Sequence, residues 1–555
     1  MAELRAPDDV MRLSRLGSFH QCRLSFMRQL TRRMAAENWQ FSRPVFEIDD
    51  KGVGHAVYTA KGPEHAYSLV VFAHDLPPEM RSDRVIATAW DSTFTLFDGV
   101  PSADDIKRLS KNVPLQEAGR VSEREISVSR ANRSVRLWEH FVDALSQGRQ
   151  PDADKLASVG YLMRTTAVYG SGKLGAADRE VIANRPEMQS PFQAEMLSVY
   201  LTRWFVRDLV EHMARTRGGD KAVPLDPELA LQLGIGNSTG LGMAPYIVNH
   251  PVLFNNWVAA RENAILRVRN VVTATPEEIA QFHELWERSR LLVSRWHSEH
   301  SLQIEKLAQL RQDLEVLESH LADNDLSGEY PWDTLLTWSA GALGEEGQEM
   351  LASLVLEPYG DLVDALGSDM SDSNSDAFII DGAMSIGQLQ EQIRTSFGWA
   401  LDLDWDAHQN CARAWYVSEE KLEPRLGERF EEPIADYEQP LAPARDAAAA
   451  FADLSKWDDA APIADFLMKH PEHRHTIRRA QIAVKAPYGE LRSNTISSDV
   501  MPIDMLRAKL SFFGAIHFDP RSDRWVRICM YYGAPYPQDL SPANADLWVY
   551  PERVS

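Results

Sequence analysis

The chain opens with a helical pattern. Leu13, Leu16, Leu24, Met27, Leu30 and Met34 recur three or four residues apart, which predicts an amphipathic helix over 10–36 with a break at Gly17 and Ser18. The pattern then shortens. Runs rich in β-branched and aromatic residues occupy 44–48, 55–59, 67–74, 85–89 and 92–97, punctuated by Asp50-Lys51-Gly52 and Lys61-Gly62-Pro63. Such runs, bounded by turn residues, predict an antiparallel sheet with one helix against it.

From about 125 to 325 the helical period returns. Residues 126–145 read as a helix closed by Gly148. Ser190-Pro191-Phe192-Gln193 reads as a start, with Ser190 as the cap and proline in the first turn, opening a helix to about 214. Thr275-Pro276-Glu277-Glu278 is a stronger start, because its two acids also sit on the positive end of the helix dipole. The helix it opens is expected to run to 323. Its seam, Phe282, Trp286, Ser289, Val293, Trp296, His300, Gln303, Leu307, Leu310, Leu314, Leu317 and Leu321, alternates three and four apart as in a coiled coil. A stripe that long needs a partner, and a homodimer through 276–323 is the expectation.

Residues 367–376 and 426–444 lack periodicity and read as a polar loop and a proline-bearing linker. Helical spacing resumes over 447–468. A hairpin is expected from 514–518 and 525–532 around a turn at 519–523. The fold class that follows is α+β, predominantly helical. Its expected parts are a basic N-terminal helix (1–37), a sheet domain (38–125), a helical domain with one long helix and glycine-rich loops (126–325), a mixed segment with a linker (326–440) and a C-terminal α+β region (441–555).

Composition narrows the function classes. A formal net charge of −23 argues against nucleic acid as a partner of the whole body, since such binding rests on cations neutralising phosphates. Cys22, Cys411 and Cys529 are too scattered for a disulfide framework or a cysteine zinc site, which suits a reducing, cytoplasmic compartment. No apolar run approaches the roughly 18 residues of a membrane span. The 10–36 stretch carries Arg12, Arg15, Arg23, Arg28, Arg32 and Arg33 and no acid. Organellar targeting segments share this bias, but a basic helix lying on an acidic body is the simpler reading.

Short motifs exclude more than they identify. Tyr169-Gly170-Ser171-Gly172-Lys173-Leu174 resembles a phosphate-binding loop but lacks its first glycine and its magnesium-binding hydroxyl. Gly236-Asn237-Ser238-Thr239-Gly240 matches a nucleophile elbow in letters, yet helical patterns flank it on both sides. His408 and Cys411 share a helical spacing that more often marks a core thiol than a nucleophile. None of these motifs resembles a characterised family closely enough to name one.

Two glycine-rich segments remain, 164–173 and 236–242, the second followed by Asn249-His250-Pro251. Glycine lets backbone N–H groups approach a ligand, and Pro251 would start a helix whose positive end faces His250. The expected site has His250 as the acid–base group and Arg164, Lys173, Asn237, Ser238 and Thr239 as substrate-binding groups for a small anion. A second candidate is the cation-rich run containing His470, His473, Arg474 and His475. It reads as an anion or acidic-partner site or a solvated basic face; a metal on His470, His473 and His475 with Glu472 is the alternative, for which their spacing on a partly helical stretch converges poorly, and no metal is assigned. Two functions follow: an enzyme acting on a small carboxylate- or phosphate-bearing metabolite, or a dimeric scaffold presenting the 469–479 cluster to an acidic partner. The sequence names no cofactor.

Overall fold

The computed structural model describes residues 1–77, 89–114, 122–165, 182, 184–238, 251–297, 301–370, 381–407, 416–417, 424–425, 442–485, 488, 507, 510–515, 517–520 and 526–551. The fold is α+β and mostly helical. Its centre is a nine-stranded sheet. Strands β1 (Gln40–Ile48), β2 (Gly54–Lys61), β3 (Ala66–Ala73), β4 (Ser92–Asp98) and β5 (Glu125–Arg133) form an antiparallel meander. β6 (Tyr161–Thr165) and β7 (Gly234–Ser238) extend it. A separate two-stranded pair joins β8 (Tyr416–Val417) to β9 (Pro424–Arg425), and a C-terminal hairpin of β10 (His517–Pro520) and β11 (Val526–Met530) completes the large sheet beside β7. The order is β1-β2-β3-β4-β5-β6-β7-β11-β10, and among the described residues β6 and β7 are its one parallel pair.

Period-2 alternation places the meander's apolar residues as expected, and the hairpin near the C-terminus forms, with Asp519 and Pro520 of the expected turn paired in β10 and residues 521–523 outside the described residues. Residues 85–88 of the expected fourth strand lie outside the described residues. The reading of 126–145 as one helix fails in its first half. Ile126, Ser127, Val128, Ser129, Arg130 and Ala131 alternate and form β5; helix begins only at Trp138. Helix α1 (Phe26–Ala36) is followed by α2 (Ala103–Asn112), which covers one face of β2–β5 through Leu109. The other face is buried by α3 (Gln193–Gly218), whose Trp204 and Phe205 pack on Tyr58 and whose Phe205 also packs on Phe94. Ser190 does not cap α3. Its hydroxyl donates to the Gly367 carbonyl, and Phe192 in the left-handed region stands at the cap position.

Helices α4 (Pro251–Arg269), α5 (Pro276–Arg295), α6 (Ser301–Asp323), α7 (Pro331–Ala342) and α8 (Glu345–Leu354) pack beyond the sheet. The Thr275 capping box forms as read, with Glu278 Oε2 accepting from Thr275 N at 2.7 Å. The expected single helix over 276–323 is instead two. Trp296 is extended (φ −64°, ψ 128°), and Arg311 of α6 donates back to the Val293, Ser294 and Trp296 carbonyls at the end of α5. The physical reason lies in the leucines. Folding α6 back buries Leu307, Leu310, Leu314 and Leu317 inside the chain, where a straight helix would leave them in water. Asp313 of α6 fixes the arrangement, accepting from Gly344 N (3.1 Å) and Gly347 N (3.3 Å) at the start of α8. The seam that suggested a homodimer is therefore covered from within.

The basic N-terminal stretch is covered as well. Arg23 forks onto Asp364 (2.7 and 2.8 Å), and Arg28 onto Glu357 (2.8 and 2.7 Å). Arg32 meets Asp546 at 2.9 Å. These arginines hold helices from the middle and end of the chain against α1. Helices α9 (Ile386–Leu401), α10 (Ala442–Leu454), α11 (Ile463–Lys469) and α12 (Arg474–Lys485) share a smaller core built on Leu389, Ile393, Phe466 and Ile477. Packing thus crosses the expected borders at 125 and 440, because strand pairing and helix docking join segments remote in sequence. No helix among the described residues is long and apolar enough to cross a membrane.

Candidate functional site

The two glycine-rich segments that the sequence singles out begin on neighbouring strands. β6 ends at Thr165 and β7 at Ser238, and they run parallel with Arg164 opposite Gly236 and Thr165 opposite Asn237. The two strands therefore end side by side at the same end of the sheet; the rest of both segments lies outside the described residues. Open sheets bind ligands at the carboxyl ends of adjacent parallel strands. β10 ends and β11 begins at that end of the sheet too, since Pro520 pairs with Val526 and Arg527 with Ser238. Residues 236–238, expected in helical surroundings, belong instead to strand β7. Even so, Ser238 is still paired in the ladder, whereas an elbow nucleophile sits on the turn beyond it.

Register assembles a polar patch on one face of the sheet. Val128 of β5 packs with Val70, Phe72 and Leu109 on the α2 side. Two residues on, Arg130 shares that face, and then Asn132. Thr93 is the cross-strand partner of Arg130, and Arg164 is the partner of Asn132. All are buried: Arg130 is 3% exposed, Asn132 2% and Arg164 2%. The Arg130 guanidinium lies 4.0 Å from the centre of the Trp90 ring. Asn132 accepts from Asp91 N at 2.9 Å and donates to Ala89 O at 3.3 Å, which fixes its amide. His74, at the end of β3, hydrogen-bonds Thr93 Oγ1 through Nε2 at 3.2 Å. Burial lowers the His74 pKa against the opposing pull of Asp91, so the ring is neutral at neutral pH. Such an imidazole can accept or return a proton on the sheet face that also carries Arg130.

The predicted site residues fare unevenly. Arg164 and Asn237 come together on adjacent strands, but alternation sends them to opposite faces, and Asn237 Nδ2 donates to Thr165 O at 3.4 Å. Ser238 closes β7. Lys173, Thr239 and His250 lie outside the described residues, as do His408 and Cys411; Pro251 does begin α4. The sequence reading missed Arg130, Asn132, Thr93 and His74. For Arg130 and Asn132 the signal was present in the alternation of 128–132, where polar residues occupy the positions that Val128 marks as inward; Thr93 and His74 join them only through the strand register.

The second candidate also resolves into parts. His470 Nδ1 lies 3.2 Å from Glu472, and His473 Nε2 lies 2.9 Å from Asp453 of α10. Hydrogen bonds from Lys456 and His473 hold the Asp453 carboxyl down at about 2. Arg474 and His475 are exposed. The run is thus no uniform basic face; its histidines turn to carboxylates. Comparison of the chain with family models, with curated proteins and with solved structures returns no match.

Proposed function

We propose that this protein is an enzyme that binds a small carboxylate- or phosphate-bearing metabolite against the sheet face carrying Arg130, Asn132 and Arg164. The observation that carries the reading is the register of β5, β6 and β7. It sets two buried guanidiniums and an amide on one face, next to the parallel pair whose ends lead into both glycine-rich segments. Guanidinium forks match the planar geometry of carboxylate and phosphate oxygens. His74 supplies a neutral imidazole beside them. In this reading Lys173, Ser238 and Thr239 meet the ligand from the end of the parallel pair, and His250 is the second group able to move a proton; Asn237, on the other face, supports the strand.

A thermal-shift screen of di- and tricarboxylates and of phosphate esters tests the proposal. A stabilising compound is expected, with Arg164→Gln weakening it by about tenfold or more, the scale of a lost charge-assisted hydrogen bond. Silence across both classes, or unchanged binding by Arg164→Gln, would overturn it. The scaffold reading has less support, because its dimer seam on 276–323 is buried within the chain.

A further inference from the structure

The smaller helical core carries a cluster unrelated to the sheet face. Asp453, His470, Glu472 and His473 each bring one ligand atom to a common point, all within 4.8 Å of one another. They come from three pieces of structure. Asp453 is in the last turn of α10, His470 ends α11, and Glu472 and His473 form the short 3₁₀ turn that leads into α12.

The imidazoles are held in place from behind. Phe466, fully buried, stacks beside His470 at 4.7 Å and beside His473 at 5.8 Å, while Trp457 stands edge-on to His470 at 6.2 Å. The two histidine rings lie near-parallel, 6.1 Å apart. Two ligand pairs are already close, His470 with Glu472 at 3.2 Å and His473 with Asp453 at 2.9 Å. Four ligands about 2.0–2.1 Å from a zinc ion would be about 3.3 Å apart, so the remaining separations need to close by only about 1.5 Å. Glu472, with its side chain 58% exposed, can make that movement. Asp453 Oδ1 is engaged by Lys456 at 2.7 Å, but that lysine is 72% exposed and its release leaves the ammonium in water.

We propose that Asp453, His470, Glu472 and His473 form a binding site for a divalent first-row metal, zinc foremost. Two imidazoles with two carboxylates are a donor set of zinc's borderline character, and they satisfy it with four protein ligands. Closed by four ligands, the site would tie α10 to the α11–α12 turn and so serve the smaller core structurally. The sequence alternative of a metal on His470, His473 and His475 with Glu472 differs in its members, because His475 is not among them and Asp453 comes from another helix.

The experiment titrates the metal-free full-length protein with zinc alone by calorimetry, and with cobalt(II) while its visible absorption is followed. One zinc per chain is expected, with cobalt showing the intense bands of four-coordinate geometry. His470→Ala and Glu472→Gln change accessible positions and should each weaken zinc binding by at least about tenfold. His475→Ala should leave it unchanged. Absence of saturable binding, equal affinity in His470→Ala and the parent, or an equal loss in His475→Ala would each overturn the proposal.

Discussion

Arg28 and Glu357 meet as a two-pronged ion pair with neither side chain reaching solvent; Nη1 and Nη2 donate to the two carboxylate oxygens at 2.8 and 2.7 Å. Tyr550 adds a third bond to Glu357 at 3.0 Å. Such a pair owes its value to completeness: removing one member leaves the other charged and dry. Arg28→Met is therefore expected to lose about 3–5 kcal/mol. Arg28→Met with Glu357→Leu should recover part of that loss, because no lone charge remains. Urea midpoints of the parent, the single and the double variant measure this. A single variant within about 1 kcal/mol of the parent would refute the account.

Two other buried groups set a dependence on pH. Burial lowers the His20 pKa from 6.5 to about 4. For Glu349, burial acts to raise the pKa from 4.5, but the guanidiniums of Arg5 and Arg261 outweigh it and bring it to about 2. In both cases the unfolded chain binds more protons than the folded one, so stability rises with pH. The contribution of His20 is complete above about 6.5 and is lost as pH falls toward 4; that of Glu349 is complete above about 4.5 and is lost toward 2. His20→Gln, which can keep hydrogen bonds to Gln21 O and Ser289, should flatten the upper part of the curve by up to roughly 3 kcal/mol. Denaturant midpoints across pH 7 to 4 decide it, and an unchanged slope in the variant would count against His20.

Much of this architecture is legible in the sequence where one local pattern dominates. Tyr58, Val70 and Phe94 alternate on their strands, and Thr275 announces its helix with a complete capping box. Patterns fail where a segment is short or a contact is remote. Tyr161–Thr165 and Gly234–Ser238 are five residues each, too brief to show alternation against helical neighbours. The heptad seam runs unbroken through Trp296, since both halves of a helical hairpin bury the same kind of stripe. Arg164 and Lys173 draw notice as cations near glycines, whereas the inward place of Arg130 follows from the alternation with Val128, and its neighbour Thr93 only from the cross-strand register. His470 and His473 stand out by their charge, whereas Asp453 gains meaning only once α10 is docked.

The folded-back seam has a measurable consequence. Leu314 of α6 is buried within the chain, so Leu314→Asp places a charge in the core of one chain instead of parting two chains. The expected loss is more than about 3 kcal/mol. It should be the same at every protein concentration, as followed by thermal melts over a hundredfold dilution. A loss that vanished at high concentration would mean that the stripe is shared between copies.

Gly236 gives the sharpest test of the β6–β7 junction. A Cβ there would lie 2.7 Å from Tyr161 Cγ and Cδ1, and Tyr161 is itself buried with no room to retreat. The glycine thus lets β7 close on β6 at the register position of Arg164. Gly236→Ala must push the two strands apart or tilt the ring, at an expected cost of about 1–3 kcal/mol. Because Arg164 is positioned by the same ladder, anion binding should weaken together with stability. Trimming the obstacle with Tyr161→Leu in the Gly236→Ala background should restore part of both, since the added methyl then fills space that the ring has left. Thermal melts and ligand titration of the parent, the two single variants and the double variant separate the outcomes. Recovery of stability without recovery of binding would show that the junction is structural and that the ligand sits elsewhere; parental behaviour of Gly236→Ala would show that the strands are not held as closely as the register requires.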